Sequence, residues 1–320
     1  MQFKYALAPI GVSTYSRIDH LKQTIEALQK NTLAKDSELF IFSDAPQKGD
    51  EKIIAKVREY IHTVDGFKKV HIIERKKNGR VANNRGGMKQ LLDKYNRCIF
   101  LEDDIVTAPG FLQFMNDTLE FYKNDDRITF VSGYVIPVIN LDDTYKNDAF
   151  LLGRFESWGM GLWKRSFEYF KPIPKRLYDK VYNSKIELKA LAKKNGEDVI
   201  ETITLDYLGK MDGGDIKIWF WQYILNTYTI YPKNTLVKSI GQDGSGVHME
   251  ITNKWDIKTL WDQTEFKFNQ KILLDQNIEK MNFNFYRRSR KSFFITFLKN
   301  IGLYYLLKII YRKLRDNKND

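Results

Sequence analysis

Residues 97–104 read RCIFLEDD, an apolar run that ends abruptly in three adjacent acids. The apolar part has the length and composition of a buried β-strand. Three neighbouring carboxylates repel one another unless a cation offsets their charge. The segment therefore predicts a core strand that brings Glu102, Asp103 and Asp104 to a cation-binding edge. The competing interpretation is a solvated turn after a buried strand.

The chain before this strand alternates between strand and helix patterns. Predicted strands cover residues 5–14, 38–43 and 70–74, and predicted helices cover residues 18–30, 52–61 and 81–95. Such an alternation predicts an α/β fold with a mainly parallel sheet and helices on both faces. Ligands of such sheets bind beyond the carboxyl ends of the strands.

Polar residues follow each predicted strand at that edge. The first strand ends in STYSR (13–17), the second in Ser43 and Asp44, and the third is followed by KKNGR (76–80). Together with the three acids, these clusters indicate a site for a charged ligand.

Two familiar phosphate-binding patterns are missing from the sequence. There is no G-x-x-x-x-G-K-[ST] segment, and no G-x-G-x-x-G segment follows the first strand, so P-loop and dinucleotide-binding sites are disfavoured. A divalent metal on carboxylates is the natural alternative, since Mg²⁺ and Mn²⁺ bind carboxylates together with substrate phosphates.

In order and spacing, these segments resemble A-fold (GT-A) nucleotide-sugar glycosyltransferases of the family 2 and N-acetylglucosaminyltransferase I type. Residues 100–104 resemble the acidic D-x-D-type motif and residues 13–17 the opening loop. Residues 42–44 resemble the end of the second strand, and residues 78–87 resemble an N-x-G-x-x-x-N-x-x-x-G segment. The resemblance runs from about residue 5 to 248 and implies a Rossmann-like, mainly parallel sheet flanked by helices.

The resemblance also implies roles on the donor side. Asp104 would contact a Mn²⁺ or Mg²⁺ ion, and Glu102 and Asp103 would lie near the ribose and sugar of the donor. The metal would neutralise the leaving diphosphate. The remaining donor-side candidates are Thr14, Arg17, Asp44, Asn78, Arg80 and Arg85. Arginine suits phosphate oxygens, although a solvated charge at a helix start explains Arg85 nearly as well.

The second half contains a predicted strand at 128–135 and an aromatic segment, RFESWGMGLW, at 154–163. This segment resembles the S-W-G-x-x-x-W segment of the family, which implies that Trp158 lies under the donor sugar and acceptor. Trp163 is predicted to be in the core. Residues 165–210 are lysine-rich and have helical tendency, typical of an insertion or an acceptor-side lobe.

The segment MDGGDIKIWFW (211–221) opens a helix predicted to run to about residue 226. By spacing, Asp215 matches the acid of a W-D-x-x-W helix start in the family, with Gly214 in place of the preceding Trp. That match implies that Asp215 is the general base, which takes the proton of the acceptor hydroxyl. Asp212 and Glu156 are the reserve candidates. Alternatively, Asp212 or Asp215 simply caps the helix.

Histidine and cysteine contribute little further chemistry. The glycine-rich segment 241–248 resembles a site-closing segment of the family, which implies that His248 contacts metal or diphosphate; an exposed or structural histidine is the alternative. The single cysteine, Cys98, is predicted to be in the core. One cysteine excludes an internal disulfide and a cysteine-based zinc site, and it fits a reducing compartment.

The formal net charge of +12 is concentrated at one end. Residues 281–320 hold ten Lys and Arg and two acids, so eight of the surplus charges lie there. The apolar residues 293–311 are interrupted by charges and bracketed by basic clusters, which favours a helix lying on an anionic membrane through residues 287–315. A terminal helix packed on the core is the alternative. The N-terminus has no signal-peptide pattern, so we expect a cytoplasmic protein, peripheral on the inner face of the cell membrane.

These observations predict a donor-binding half at 1–105, an acceptor-binding half at 106–280 and a membrane-associating tail at 281–320.

The predicted activity is a metal-dependent, inverting glycosyl transfer of hexosyltransferase type. The donor would be a nucleotide-sugar, with a UDP-sugar favoured by the resemblance, and the acceptor a lipid-linked or cell-surface glycan precursor. Alternatives are a sugar-nucleotide nucleotidyltransferase, disfavoured because residues 13–17 lack glycine, and a non-catalytic membrane-surface or nucleic-acid-binding protein. Nucleic acid is disfavoured because the basic surplus adjoins an apolar helix.

Overall fold

The computed structural model describes residues 5–142, 144–211, 213–244 and 252–287. Its strands are β1 Ile10–Thr14, β2 Glu38–Ser43, β3 Lys69–Glu74, β4 Arg97–Glu102, β5 Ile105–Thr107, β6 Ile128–Ser132, β7 Ala149–Leu152, β8 Met160–Trp163, β9 Tyr228–Pro232 and β10 Val237–Ser239. Its α-helices are α1 Ile18–Gln29, α2 Glu51–Ile61, α3 Arg80–Tyr95, α4 Phe111–Phe121, α5 Lys175–Tyr182, α6 Lys185–Asn195, α7 Asp198–Tyr207, α8 Gly214–Ile224 and α9 Gln276–Phe285.

In the described part of the chain, the larger sheet has the order β3-β2-β1-β4-β8-β6-β9-β7. The four strands β3, β2, β1 and β4 are parallel to one another, as the alternation of elements predicts. Beyond β4, strand β8 is antiparallel to both β4 and β6, β6 is parallel to β9, and β7 is antiparallel to β9. The fold is therefore α/β with a large, mostly parallel central sheet. A separate ribbon pairs β10 with β5.

The sheet is covered by helices on both faces because its strands are apolar on both sides. In β2, Leu39 and Ile41 pack into the core with α1, α2 and α4, whereas Phe40 and Phe42 pack on the other face with α3, α5 and α8. Successive side chains of a strand point to opposite faces. A strand buried on both faces therefore reads as a continuous apolar run, as β2 does.

Several predicted bounds need correction. The first strand begins at residue 10, not 5, and Ala8 N donates instead to Asn116 Oδ1 at 2.7 Å. Strand β6 ends at Ser132, not 135, because the next backbone N–H donates to the Gly159 carbonyl rather than to a neighbouring strand of the sheet. Helix α8 ends at residue 224, not 226.

Two core predictions are confirmed. Cys98 is fully buried, and Trp163 is buried with its indole N–H donating to the Leu119 carbonyl at 3.0 Å. Residues 165–210 are helical, as predicted, and comprise most of the 3₁₀ helix Lys164–Phe170 followed by α5, α6 and α7. None of the helices in the described residues is long and apolar enough to cross a bilayer.

Candidate active site

The candidate site begins where β1 and β4 end side by side. The register pairs Ser13 with Glu102, so the residues that follow each strand meet at one edge. Thr14 Oγ1 donates to Asp103 Oδ2 at 3.1 Å, and the Tyr15 backbone N–H donates to the same oxygen at 3.3 Å. Burial raises the pKa of the Asp103 carboxyl. Asp103 therefore holds the loop after β1 in place.

Arg17 joins two of the three acids. Its Nη1 lies 2.9 Å from Asp104 Oδ2, and its Nη2 pairs with Asp103 Oδ1. A guanidinium fork can serve two carboxylates at once because its donors are planar and rigidly spaced. Both carboxylate oxygens of Asp103 thus have protein partners.

Glu102 shows that the acidic cluster remains short of positive charge. The Glu102 side chain is accessible to solvent, yet it is surrounded by many protein atoms. Such a position is the floor of an open cleft. Loss of bulk water raises its pKa to about 7, and the charges of Asp104, Asp103 and Asp215 add to that rise. Arg80 opposes the shift only in part. A further cation at this edge would relieve the repulsion.

The segment after β10 packs directly on Asp104. The Ile240 backbone N–H donates to the Asp104 carbonyl at 2.9 Å. A Cβ on Gly241 would overlap the Asp104 carboxylate and lie 2.8 Å from Arg17 Nη1. On the other side of this segment, His20 Nε2 lies 3.2 Å from both the Ile240 carbonyl oxygen and Asp243 Oδ2. Residues 240–243 therefore cover the acids from the side of α1.

Replacing Gly241 with alanine is expected to lower activity while the protein still folds. The added methyl group cannot fit beside Asp104 and Arg17, so the segment must move away from the acids. A displacement of about 1 Å at a catalytic site can cost about a hundredfold in rate. Steady-state kinetics of the variant would test this, with Gly86→Ala as the control, because nothing lies within 4 Å of a Cβ at Gly86. Equal activity of the two variants would contradict the assignment.

Asp44 and Asn78 organise the loop after β3. Asp44 is buried and accepts from Arg75 Nε at 3.2 Å and from the Gly79 backbone N–H at 2.9 Å. Asn78 Nδ2 donates to the Ala45 carbonyl at 2.7 Å. These two predicted donor-side residues therefore shape the start of α3.

Asp215 lies in the first turn of α8 and makes no capping bond; the N-cap is Gly213. Ser157 Oγ donates to Asp215 Oδ2 at 3.4 Å. Burial, with help from Glu156, raises the pKa of Asp215 to about 6, while Arg154, Ser157 and Arg85 lower it. Asp215 also raises the pKa of Glu102. The structure thus brings the acids after β4 and the acid of α8 into one electrostatic site.

Arg85 connects α3 to the start of α8. Its guanidinium lies over the Phe170 ring, 5.5 Å from the centroid, and its Nη2 would be 3.5 Å from a Cβ on Gly214. A Cβ at that distance would be in ordinary van der Waals contact, so Arg85 lies directly against the start of α8.

Glu156 is occupied by protein partners. Its Oε1 accepts from Arg154 Nε at 2.7 Å and from the Tyr286 hydroxyl at 2.5 Å. Arg154 is buried, donates to Asp198 at 2.9 Å and lies between the rings of Trp219 and Tyr286. The cluster ties α7 and the end of α9 to Arg154 and Glu156, whose charges act on Asp215. The sequence gives no sign that these residues form a cluster, because they are up to 132 positions apart.

Trp158 lies in an aromatic cluster. It is half-buried and packs edge-on against Tyr134, with ring centroids 4.4 Å apart, and against Trp255 at 6.2 Å. The remaining two predicted site residues, Asp212 and His248, lie outside the described residues, as do residues 288–320 of the predicted membrane tail.

The donor set fits a divalent cation that also binds a substrate. Among the described residues, no group of three or more His, Cys, Asp and Glu is arranged to hold a metal ion. Asp104 and Glu102 nevertheless supply hard carboxylate oxygens at an edge with uncompensated negative charge. Mg²⁺ and Mn²⁺ commonly bind through one or two carboxylates, with substrate phosphates completing the coordination.

Residues 10–172 match the family model described as glycosyl transferase family 2. The chain belongs to this family. The match begins at β1 and includes the acids after β4, Arg17 and the aromatic segment, and it ends before Asp215. The family and the fold predicted from the sequence are therefore confirmed, while the N-acetylglucosaminyltransferase I type stays a prediction. No curated protein matches the chain.

Several solved structures are similar to this chain at low identity. A mannosyltransferase, PcManGT from Pyrobaculum calidifontis in complex with GDP-Man and Mn²⁺, is 12% identical with a TM-score of 0.37, over 53% of this chain and 48% of that one. TarS of S. aureus is 11% identical with a TM-score of 0.33, over 64% and 43%. GalNAc-T7 with UDP, GalNAc and Mn²⁺ is 11% identical with a TM-score of 0.44, over 72% and 43%. The chain spans less than half the length of each.

Proposed function

We propose that this protein is a metal-dependent, inverting glycosyltransferase that moves a sugar from a nucleotide-sugar to a hydroxyl group. The observation that carries the proposal is the single electrostatic site formed by Glu102, Asp103 and Asp104 with Asp215. One part can hold a metal and a diphosphate, and the other can hold a base. Inversion by direct displacement needs a base for the acceptor hydroxyl and stabilisation of the leaving diphosphate.

On the donor side, Asp104 and Glu102 would hold Mn²⁺ or Mg²⁺. When bound, the ion would supply Lewis-acid stabilisation of the departing diphosphate. Arg17, Arg80 and Arg85 place guanidinium groups around the same cleft and would bind phosphate oxygens or stabilise their developing charge. We propose a UDP-sugar of a hexose type as the donor, on the family resemblance of the motifs.

On the acceptor side, Asp215 is the proposed general base. A pKa of about 6 leaves its carboxylate about ten times more often ionised than protonated at pH 7. A base with a pKa near the working pH accepts a proton most effectively. Ser157 orients the carboxylate, and Arg154 limits the rise of its pKa. The acceptor proposed is a lipid-linked or cell-surface glycan precursor.

The proposal is tested with a panel of nucleotide sugars. The full-length protein is incubated with each donor, with and without Mn²⁺, and release of the nucleotide is measured together with transfer to simple sugar acceptors. We expect metal-dependent release from one donor class. Absence of metal-dependent release from every donor, with no nucleotide bound, would reject the proposed activity.

We also propose that the basic tail holds the protein on an anionic membrane surface. Changing Arg287, Arg288, Arg290 and Lys291 together to Gln in the full-length chain should weaken binding to vesicles that contain 30% phosphatidylserine. Each basic residue near such a surface contributes about 1 kcal/mol, so a loss of at least a hundredfold is expected. Vesicles of phosphatidylcholine alone serve as the control. Unchanged binding to the anionic vesicles would contradict the anchor.

A further inference from the structure

We propose that Arg17 is a resident counter-ion that withholds Asp104 from a divalent cation until a nucleotide diphosphate draws the guanidinium away. The inference rests on the proposed function and specifies how metal and donor depend on one another at the same site. Arg17 would thus control when the cation binds relative to the nucleotide, in addition to contacting the donor.

The first observation is that one guanidinium bridges two carboxylates. Nη1 lies 2.9 Å from Asp104 Oδ2, while Nη2 pairs with Asp103 Oδ1. The side chains of Arg17 and Asp104 are only 21% and 11% exposed, so the pair is largely removed from water. A cation that binds Asp104 Oδ2 must therefore displace the Arg17 guanidinium from a buried ion pair. Without a nucleotide to accept that guanidinium, binding of the cation is costly.

The second observation is that the Gly241 backbone also packs against Asp104 Oδ2. A Cβ on Gly241 would overlap the carboxylate and would lie 2.8 Å from Arg17 Nη1. The Ile240 backbone N–H, bonded to the Asp104 carbonyl at 2.9 Å, holds this segment in place. Arg17 and the Gly241 backbone therefore both crowd Asp104 Oδ2, and displacement of Arg17 is the change that frees this oxygen for a cation.

The ion pairs also supply a pivot for that movement. Asp103 is held by Thr14 and by the Tyr15 backbone, so Nη2 can stay on Asp103 while Nη1 turns from Asp104 to a phosphate oxygen. A phosphate oxygen of the diphosphate offers Nη1 a charged acceptor in exchange for the carboxylate. The released carboxylate then becomes available to the cation. Metal and nucleotide consequently bind with positive coupling, and each strengthens the other by the same factor.

Metal binding itself provides the test. Mn²⁺ is titrated into the full-length protein by isothermal calorimetry or electron paramagnetic resonance, without nucleotide and with saturating UDP, with GDP in parallel. Wild-type protein should bind Mn²⁺ at least tenfold more tightly with nucleotide than without. Arg17→Met should bind Mn²⁺ at least tenfold more tightly than wild type in the absence of nucleotide and should lose most of the coupling.

Two further variants make the result specific. Arg17→Lys keeps a cation but cannot serve both carboxylates as a planar fork, so its Mn²⁺ affinity should be intermediate; it also replaces Arg17→Met if that variant fails to fold. Arg97→Met is the matched control, because it removes a similarly buried pair, with Glu120 at 2.7 Å, at the opposite end of β4. Its Mn²⁺ affinity should equal that of wild type.

The outcomes separate the two proposals. If nucleotide binds but both Arg17 variants show the Mn²⁺ affinity of wild type, the exchange is refuted and the proposed function stands. If the wild-type protein binds none of the nucleotides, the proposed function fails and the exchange fails with it.

Discussion

Replacing Asp104 with alanine is expected to lower metal-dependent sugar transfer by about three orders of magnitude, because a metal at a leaving diphosphate supplies several kcal/mol of transition-state stabilisation. The loss should appear in kcat/KM measured over a range of Mn²⁺ concentrations. Asp103 keeps its bonds to Thr14, Tyr15 and Arg17 in this variant, so the loop after β1 should stay folded.

The control for this variant is Asp93→Ala. Asp93 is an exposed acid near the far end of α3, where it pairs with Lys89 and Lys164. Its removal should change neither kcat/KM nor the response to Mn²⁺. If the Asp104 variant retained more than a tenth of wild-type transfer with an unchanged Mn²⁺ response, Asp104 would not be a metal ligand.

Replacing Asp215 with asparagine is expected to lower kcat by about a thousandfold, the middle of the range that general bases contribute. Asparagine keeps the shape of the side chain and its contact with Ser157 but cannot accept a proton. The KM for the nucleotide-sugar should change little, because Asp215 belongs to the acceptor side. Single-turnover transfer to an acceptor, compared with donor binding by calorimetry, would separate the two effects.

The pH profile gives an independent check on Asp215. Because only the carboxylate form acts as a base, wild-type kcat should fall as the pH drops through about 6 and decline tenfold per pH unit below that value. The variant Ser157→Ala should move this acid limb to higher pH, since the serine hydroxyl lowers the pKa of Asp215. Residual activity of Asp215→Asn should lack the limb. An unchanged limb in that variant would assign the titration to another group.

The first half of the fold could be predicted from the sequence because its signals are local. Each of the first four strands is a short apolar run, and each is followed by polar residues at the same end. A parallel arrangement brings those ends to one edge of the sheet, so the placement of the acids after β4 and the loop after β1 at the same edge was predicted from the sequence. That β1 and β4 are neighbours in the sheet is shown only by the structure.

The second half was harder to predict because its order in the sheet does not follow the order in the chain. Strand β8 lies between β4 and β6, and β9 lies between β6 and β7. Strands β7 and β8 are only four residues long, and no prediction from the sequence covers them. Such short strands are selected by packing against their neighbours, which local propensity does not report.

The sequence by itself determined the α/β class, the family and the run of three acids after β4 that is proposed for the site, because periodicity and motif spacing are properties of neighbouring residues. Only the tertiary structure decided that Arg17 bridges Asp103 and Asp104, that Gly241 packs against both Asp104 and Arg17, and that Glu156 is occupied by Arg154. All but the last of these contacts join residues that are at least 86 positions apart. Their geometry depends on how the helices and strands pack, and the pKa values of Glu102 and Asp215 depend in turn on the burial and charge that this packing creates.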